Sequence, residues 1–547
     1  MPSLLKQKGS YSVEKIYLIF VCLATLLPGF GAIDNNPVRW MTIGCITILF
    51  LFYSSYIRLN KSRINFQKSI IVVLSGIYLL FSCLNSGNLN ESLITLYKII
   101  IIISVFYASY IAIRRINNAF LLICHVFTIS IFFETFYALI DFFIINDSFT
   151  GISQNRNISS SSLVIKLIFL IYLIDYAKSA YVKIFLQTLE ILALLSIVLL
   201  QSRLGLISIF GIYFLYLILF RSSRKQIIFS TLIFTLFFFY FNNNNFENKI
   251  EKDFAFQDIS NDESINQRLN FYQISISLFN ESPLKGNGLG SWKYRSIQNN
   301  KYKKNSVLVP YYTHNDFLQI LMEIGIIGLF IYLTFFTLLI KNLLQKKGEK
   351  KFIPLIITLI IVIANSLINF PIHRTQEYIP FIICCAFIFS EKKFETERKK
   401  SNILPILILL LIPSIVISSY EYRSLRIQGI LLNDYKNNTF SLSLNDIEQI
   451  NYKLPNLSSN VVPVSTYLSR YYFNQGNYYE SIKLLDYSLE INKLDLMTNE
   501  LMLRNYIFTN QINKALILVK DLLKKYPENK NYTNILLAIS KDLDSQN

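Results

Sequence analysis

Apolar blocks long enough to cross a bilayer dominate this chain, and no other feature restricts its fold as strongly. A transmembrane helix needs about 20 largely apolar residues. Such blocks recur near 14–33, 39–57, 69–84, 92–113, 119–145, 161–177, 183–201, 204–220, 226–242, 317–340, 352–370, 377–390 and 402–418. Charged residues make up only 16% of the 547 residues, against about 25% in a soluble domain. The expectation is an all-α fold: a polytopic helical membrane domain over residues 1–418 with about thirteen spans, and a polar region after it. The first block lacks a small-residue cleavage site and is followed by further spans, so it reads as a span and not as a cleavable signal.

A net charge of +18 would suggest nucleic acid in a soluble protein. Here the Lys and Arg sit in short loops between apolar blocks. They are Lys6, Lys8 and Lys15, then Arg58, Lys61, Arg63 and Lys68, then Arg114 and Arg115, Lys178 and Lys183, Arg221, Arg224 and Lys225, and the stretches 341–351 and 392–400. All fall on one side if every span is real. The positive-inside rule puts that side, and the N-terminus, in the cytoplasm and the C-terminal region outside it. The short connection around Gln201–Arg203 is the tightest joint in this scheme. Nucleic acid is therefore not an expected partner. Cys22, Cys45, Cys83, Cys124, Cys384 and Cys385 all lie within apolar blocks without metal-ligand spacing; they read as small packing residues. Neither a metal nor a cofactor is expected.

Three regions then face outward: about 147–162, the long loop 243–316, and everything after about 419. In the long loop Ile265, Leu269, Tyr272, Ile276 and Phe279 alternate at spacings of four and three, one face of a helix. The helix either lies on the membrane surface or merely spaces the loop. Pro283, Gly286, Gly288 and Gly290 force a turn after it. Residues 419–461 read as a helical linker. At a 34-residue offset Tyr472 aligns with Tyr506, Ser481 with Ala515 and Leu489 with Leu523, and Pro527 closes the second unit. That period is the signature of tetratricopeptide repeats, which predicts two repeats over 462–529 with Tyr472, Leu489, Tyr506 and Leu523 buried, and a C-terminal helix or tail over 530–547. Such a module binds a protein partner or scaffolds.

Candidate chemistry lies on the outward side. His314 stands where the long loop meets a span, and Asn315, Gln319 and Glu323 follow at spacing four. Polar residues in a span face the bundle or a wet cavity and mark function by default; the alternative for Gln319 and Glu323 is helix-to-helix hydrogen bonding. A neutral imidazole can accept a proton near neutral pH. Arg203 opens a span on the side depleted of positive charge, where it either snorkels to lipid phosphates or lines a polar cavity. Arg268 begins the surface helix. Guanidinium forks of this kind hold phosphate oxygens bidentately.

The runs SPLKGNGLGSW, HNDFLQILMEIGIIGL and NFPIHRTQEYIPF, with GISQNRNISSSSLVI and QSRLGLIS upstream, resemble the O-antigen ligase superfamily over roughly residues 140–395. That superfamily includes lipopolysaccharide O-antigen ligases, Wzy-type polymerases and O-linked protein oligosaccharyltransferases. The resemblance implies a metal-independent glycosyltransferase at the outer face of the bacterial inner membrane. Its donor would be a glycan on undecaprenyl phosphate or diphosphate; its acceptor would be lipid A-core, a glycan or a protein hydroxyl. His314 matches the family's essential outer-loop His, and Arg203 and Arg268 its paired Arg; Asn315 and Glu323 are carried as substrate-binding candidates. Leu204 stands where the family often has Gly directly after the Arg. Two other classes compete. A transporter or flippase of lipid-linked glycans would also need many spans and cationic groups, but would show internal repeats among its spans, and none is visible. A membrane-anchored scaffold would leave the outer-loop motif unexplained.

Overall fold

A computed structural model describes residues 2–56, 66–145, 149–219, 224–243, 263–298, 311–346, 348–391, 403–525, 527 and 530–546. Of the expectations above, the basic residues Arg58, Lys61, Arg63, Arg221 and 392–400 lie outside the described residues, as do 244–262 and 299–310 of the long loop. No strand forms among the described residues. The apolar blocks become α1 (Pro2–Ala24), α2 (Asn36–Tyr56), α3 (Phe66–Leu84), α4 (Leu89–Ile113), α5 (Ala119–Ile140), α6 (Arg156–Tyr176), α7 (Ala180–Leu199), α8 (Arg203–Leu219) and α9 (Arg224–Asn243). The long loop carries α10 (Glu263–Glu281) and the short α11 (Trp292–Gln298). Four more apolar helices follow: α12 (Asp316–Leu344), α13 (Phe352–Ile368), α14 (Thr375–Ser390) and α15 (Leu404–Asn437). Seven of the described helices are long and apolar enough to cross a membrane, and shorter apolar helices accompany them. The chain is a multi-pass membrane protein.

Three elements differ from expectation for identifiable reasons. The block 14–33 stops being helical at Ala24, because Pro28, Gly29 and Gly31 follow and Gly31 takes φ +88°. The block 402–418 does not end the last span: α15 continues to Asn437, past the expected start of the linker. The long α12 is broken at Gly325, whose φ of 68° and ψ of −171° are not helical.

At the centre of the bundle α6 is buried along almost all of its length, as expected of a helix apolar on every side. It packs against α5, α7, α8, α13 and α14. Its Lys166 is fully buried and ion-paired with Glu134 of α5, with Ser130 as a further acceptor at 3.0 Å. At one end of the bundle the connecting segments are tied together. Asn35 Nδ2 donates to the Ile152 carbonyl at 3.1 Å, Arg39 spans the Leu27 and Ile152 carbonyls, and Ser153 donates to Gln376. This end holds the start of α12, the α13–α14 turn and the 282–291 turn. The described basic residues Arg114, Arg115, Lys341, Lys346 and Lys351 flank the helix ends at the opposite side.

Beyond α15 come α16 (Leu444–Glu448), α17 (Val464–Asn474), α18 (Tyr478–Ile491), α19 (Leu496–Phe508), α20 (Ile512–Lys525) and α21 (Lys530–Gln546). From α17 to α21 each helix packs on the next. Ser481 and Ala515, the small residues aligned at the 34-residue offset, are fully buried. Of the four residues expected in the core, Tyr472 is buried, whereas Leu489, Tyr506 and Leu523 are only half-buried. Leu485, Met502 and Leu522 fill the interior instead.

This module is seated on the site-bearing end of the membrane domain. Asn456 and Asn88 exchange reciprocal amide hydrogen bonds at 3.0 Å, and the Leu457 amide donates to Glu91 Oε1 at 3.3 Å. Leu457 and Val461 pack with Tyr294 of α11, and Glu421 of α15 accepts from Lys98 of α4 at 3.1 Å.

Candidate functional site

The glycines of SPLKGNGLGSW and the Glu-x-Gly of α12 are two halves of one joint. With α12 broken at Gly325, the carbonyls of the preceding turn are free to accept new donors. Asn287 N–H donates to Met322 O at 3.0 Å, Gly288 N–H to Glu323 O at 2.8 Å, and Ile326 N–H to Pro283 O at 2.9 Å. A Cβ on Gly286 would lie 2.3 Å from Glu323 O, and one on Gly325 would lie 2.3 Å from Leu284 O. Backbones this close admit only glycine. The Glu323 carboxylate turns toward α11. Its Oε2 accepts from the Gly290 amide at 2.8 Å, and its Oε1 from the Trp292 amide at 3.3 Å and the Gln319 side chain at 3.2 Å. Glu323 thus occupies the N-terminal donors of α11 and fixes the turn to α12.

That joint positions α10 beside the head of α12. The surface helix predicted at 265–279 forms, but its buried face is Phe271, Ile274, Ser275 and Leu278, packed on Trp292 and Met322. Leu269 and Ile276, from the face read off the sequence, are about half exposed. The helix is apolar on two sides, one for the protein and one left outward.

His314 meets the inner side. Its ring stacks on Phe271 with centroids 6.0 Å apart and meets the Phe370 ring edge-on at 4.8 Å. The Tyr272 hydroxyl donates to the His314 carbonyl at 3.1 Å. Arg268 lies one helical turn before Phe271 and Tyr272, on the same side of α10, and its charge acts on the imidazole. His314 takes φ +56°, a left-handed conformation that histidine, asparagine and aspartate adopt more readily than other side-chain-bearing residues. Asn315 holds that conformation. Its Oδ1 caps α12 by accepting from the Leu318 amide at 3.0 Å, and its Nδ2 donates to Leu367 O at 3.0 Å. Burial above all, then repulsion from Arg268 and Arg374, lowers the His314 pKa from 6.5 to about 4, with a hydrogen bond to Asn369 opposing. The ring is neutral at physiological pH, with Nδ1 buried and without a partner among the described residues.

Arg203 is exposed at the start of α8. The N-terminal turn of α6 adjoins both α8 and the Tyr312–Phe370 rings. A Cβ on Gly205 would strike Ser160 Oγ at 1.9 Å, while Ile158 packs with Tyr312 and Phe370. Arg268 is close enough for its charge to act on His314, and Arg203 stands at the start of α8, whose Gly205 packs on α6. Asn315 and Glu323 have their polar atoms engaged within the protein.

Several groups at this end were not singled out from the sequence. Arg374 is stretched over the Phe370 and Tyr312 rings, at 5.1 and 5.7 Å, with Nη1 on Asp34 at 3.2 Å. Burial disfavours the Asp34 carboxylate, but Arg374, the Asn36 amide, Lys98 and Arg39 together outweigh it and keep its carboxyl below the ordinary range. His373 stacks on Tyr312 at 4.4 Å; burial, then Lys98, Lys293 and Arg374, hold its pKa well below normal. Lys293 pairs with Glu91 at 2.7 Å. A signal for Arg374 existed: like Arg203, it is a cation between spans on the side depleted of positive charge.

The arrangement offers a neutral, packed imidazole in reach of guanidinium groups, at the mouth of a helical bundle. No curated protein matches the chain. Residues 189–333, which run from α7 into α12 and take in Arg203, Arg268, His314, Asn315 and Glu323, match the family model of O-antigen ligase.

Proposed function

We propose that this protein moves a glycan from an undecaprenyl phosphate or diphosphate carrier to an acceptor hydroxyl at the outer face of the bacterial inner membrane. The observation that carries the reading is the neutral His314, fixed at the head of α12 by Tyr272 and Asn315 with Arg268 one turn away on α10. The acceptor oxygen attacks the anomeric carbon and its proton passes to His314. The bond from that carbon to the carrier phosphate breaks, and its electron pair leaves with the phosphate oxygen. Arg268, with Arg203 at the start of α8, stabilises the developing charge. Asn315 and Glu323 serve as positioning residues, one setting the backbone of His314 and the other holding the glycine turn. The basic helix ends opposite the site support a cytoplasmic N-terminus, and the seating of the 464–525 helices at the site end supports an extracytoplasmic module, read as tetratricopeptide-like from its 34-residue offset.

The test is transfer of the endogenous lipid-linked glycan in membranes. Loss of a general base costs about a hundred- to ten-thousand-fold, so His314→Ala should leave no detectable product. Near-normal transfer by this variant would overturn the assignment.

A further inference from the structure

The C-terminal module repeats one turn three times, and the repeated turn has a chemistry of its own. Asn438, Gly476 and Asn510 each take a left-handed φ, at 53°, 73° and 56°, at the ends of α15, α17 and α19. Around each lie an aromatic ring and side-chain amides: YKNNTF at 435–440, FNQGNYY at 473–479 and FTNQ at 508–511. Lys436 is the one charged residue in these three stretches.

The turns adjoin one another. Arg470 lies over the Tyr435 and Phe440 rings at 4.9 and 5.2 Å and donates to Asn438 at 3.3 Å. One turn of α17 further on, Phe473 meets Phe508 at 5.3 Å and Tyr478 at 5.5 Å. Phe473 and Tyr478 are half-buried by this contact, whereas Phe508 remains 64% exposed, and Tyr479 and Tyr435, outside it, are 77% and 48% exposed. Asn474, Gln475, Asn477 and Asn510 are exposed beside them.

We propose that this turn-bearing edge is a glycan-binding surface that holds an uncharged, hydroxyl-rich saccharide chain. Exposed rings stack on the apolar C–H faces of sugars. Side-chain amides provide both donors and acceptors, which is what a row of hydroxyl groups requires. Lys436 and Arg470 are too few for anionic lipid, which is recruited by clusters of Lys and Arg. A surface that presents the same ring-and-amide turn at successive repeats complements a ligand that is itself a chain of similar units. The edge belongs to a module seated on the site-bearing end through Asn456, Leu457 and Glu421. A glycan handled at that end lies within its reach. The inference rests on the proposed function only for the identity of the chain that arrives there.

The experiment separates the two readings. Full-length His314→Ala protein in detergent is titrated into an end-labelled oligosaccharide, released by mild acid from the lipid-linked pool of the producing cells, and anisotropy is recorded. Saturable binding is expected. Combining Tyr479→Ala with Phe508→Ala should weaken it by roughly tenfold with the helical circular dichroism unchanged, since both side chains are largely exposed. Raising NaCl from about 0.1 M to about 1 M should leave it unaltered, because no ion pair is involved. Absence of binding, equal affinity in the double variant, or collapse at high salt would each overturn the proposal, as would an edge that binds a polypeptide and not the sugar. Because this protein lacks His314, none of these outcomes depends on transfer. Persistent transfer by His314→Ala would sink the catalytic reading and leave the edge untouched.

Discussion

His314 combines three properties that rarely meet in one residue: a left-handed backbone, a ring packed between Phe271 and Phe370, and a pKa lowered to about 4 by burial first and neighbouring guanidinium groups second. The lowered pKa has a consequence for pH dependence. An unfolded chain would protonate this imidazole near 6.5, whereas the folded one resists until about 4. In that window the unfolded state binds more protons, so stability is lost as pH falls from 6.5 toward 4 and is unaffected by this group above it. In the proposed transfer the neutral form would be the base. The acid limb of kcat/KM, which reports the free enzyme, should fall near pH 4. A bound diphosphate would offset the repulsion from Arg268, so the acid limb of kcat should lie at higher pH than that of kcat/KM. Profiles in nanodiscs from about pH 3.5 to about pH 8 would read both. An acid limb of kcat/KM at the ordinary histidine value would mean that the ring is not held in this environment.

Among the elements, α12 shows what a pattern of residues can and cannot announce. The apolar run predicted a helix, and a helix forms, but nothing in EIGIIG reveals a break, because glycine is common in membrane helices. The break becomes necessary only when Gly286 arrives against it, a partner 39 positions away in sequence. Gly325→Ala should therefore undo the joint. Its Cβ would need a positive φ and would lie 2.3 Å from Leu284 O, at a strain of about 1–3 kcal/mol before any clash is relieved. Hydrogen exchange should show lost protection across 284–298 with α2 and α4 unchanged, together with impaired transfer. Unaltered protection would show that the glycine joint does not hold the turn. The same limit applies to α10. Its periodicity identified the helix, yet both of its faces are apolar, and only the fold decides which one meets Met322 and Trp292.

For the whole molecule, composition and loop charge made the helical membrane class legible, and the motifs around His314 made legible the segment that matches the O-antigen ligase model. The supporting charge layer was not. Lys98, Lys293 and the adjacent His373 and Arg374 come from three separate segments, and their shared environment exists only once those segments meet. Nor was the seating of the C-terminal module legible. Asn88 and Asn456 are ordinary amides until the fold pairs them, and Leu457 contributes only its backbone amide. Glu91 is the hinge of this arrangement, because one carboxylate serves both the module, through Leu457, and α11, through Lys293 at 2.7 Å. Glu91→Gln keeps the shape but leaves Lys293, whose side chain is 7% exposed, without its counter-charge. Breaking a buried pair in this way costs about 3–5 kcal/mol. Asn456→Ala, which leaves one amide unsatisfied, should cost about 1–3 kcal/mol. Both variants should sensitise 451–463 to limited proteolysis and lower the melting temperature in detergent, with Glu91→Gln the more severe and also the one that loosens α11. If Glu91→Gln melts like the parent and resists cleavage equally, the module is held by its apolar contacts with Tyr294 and not by this charge.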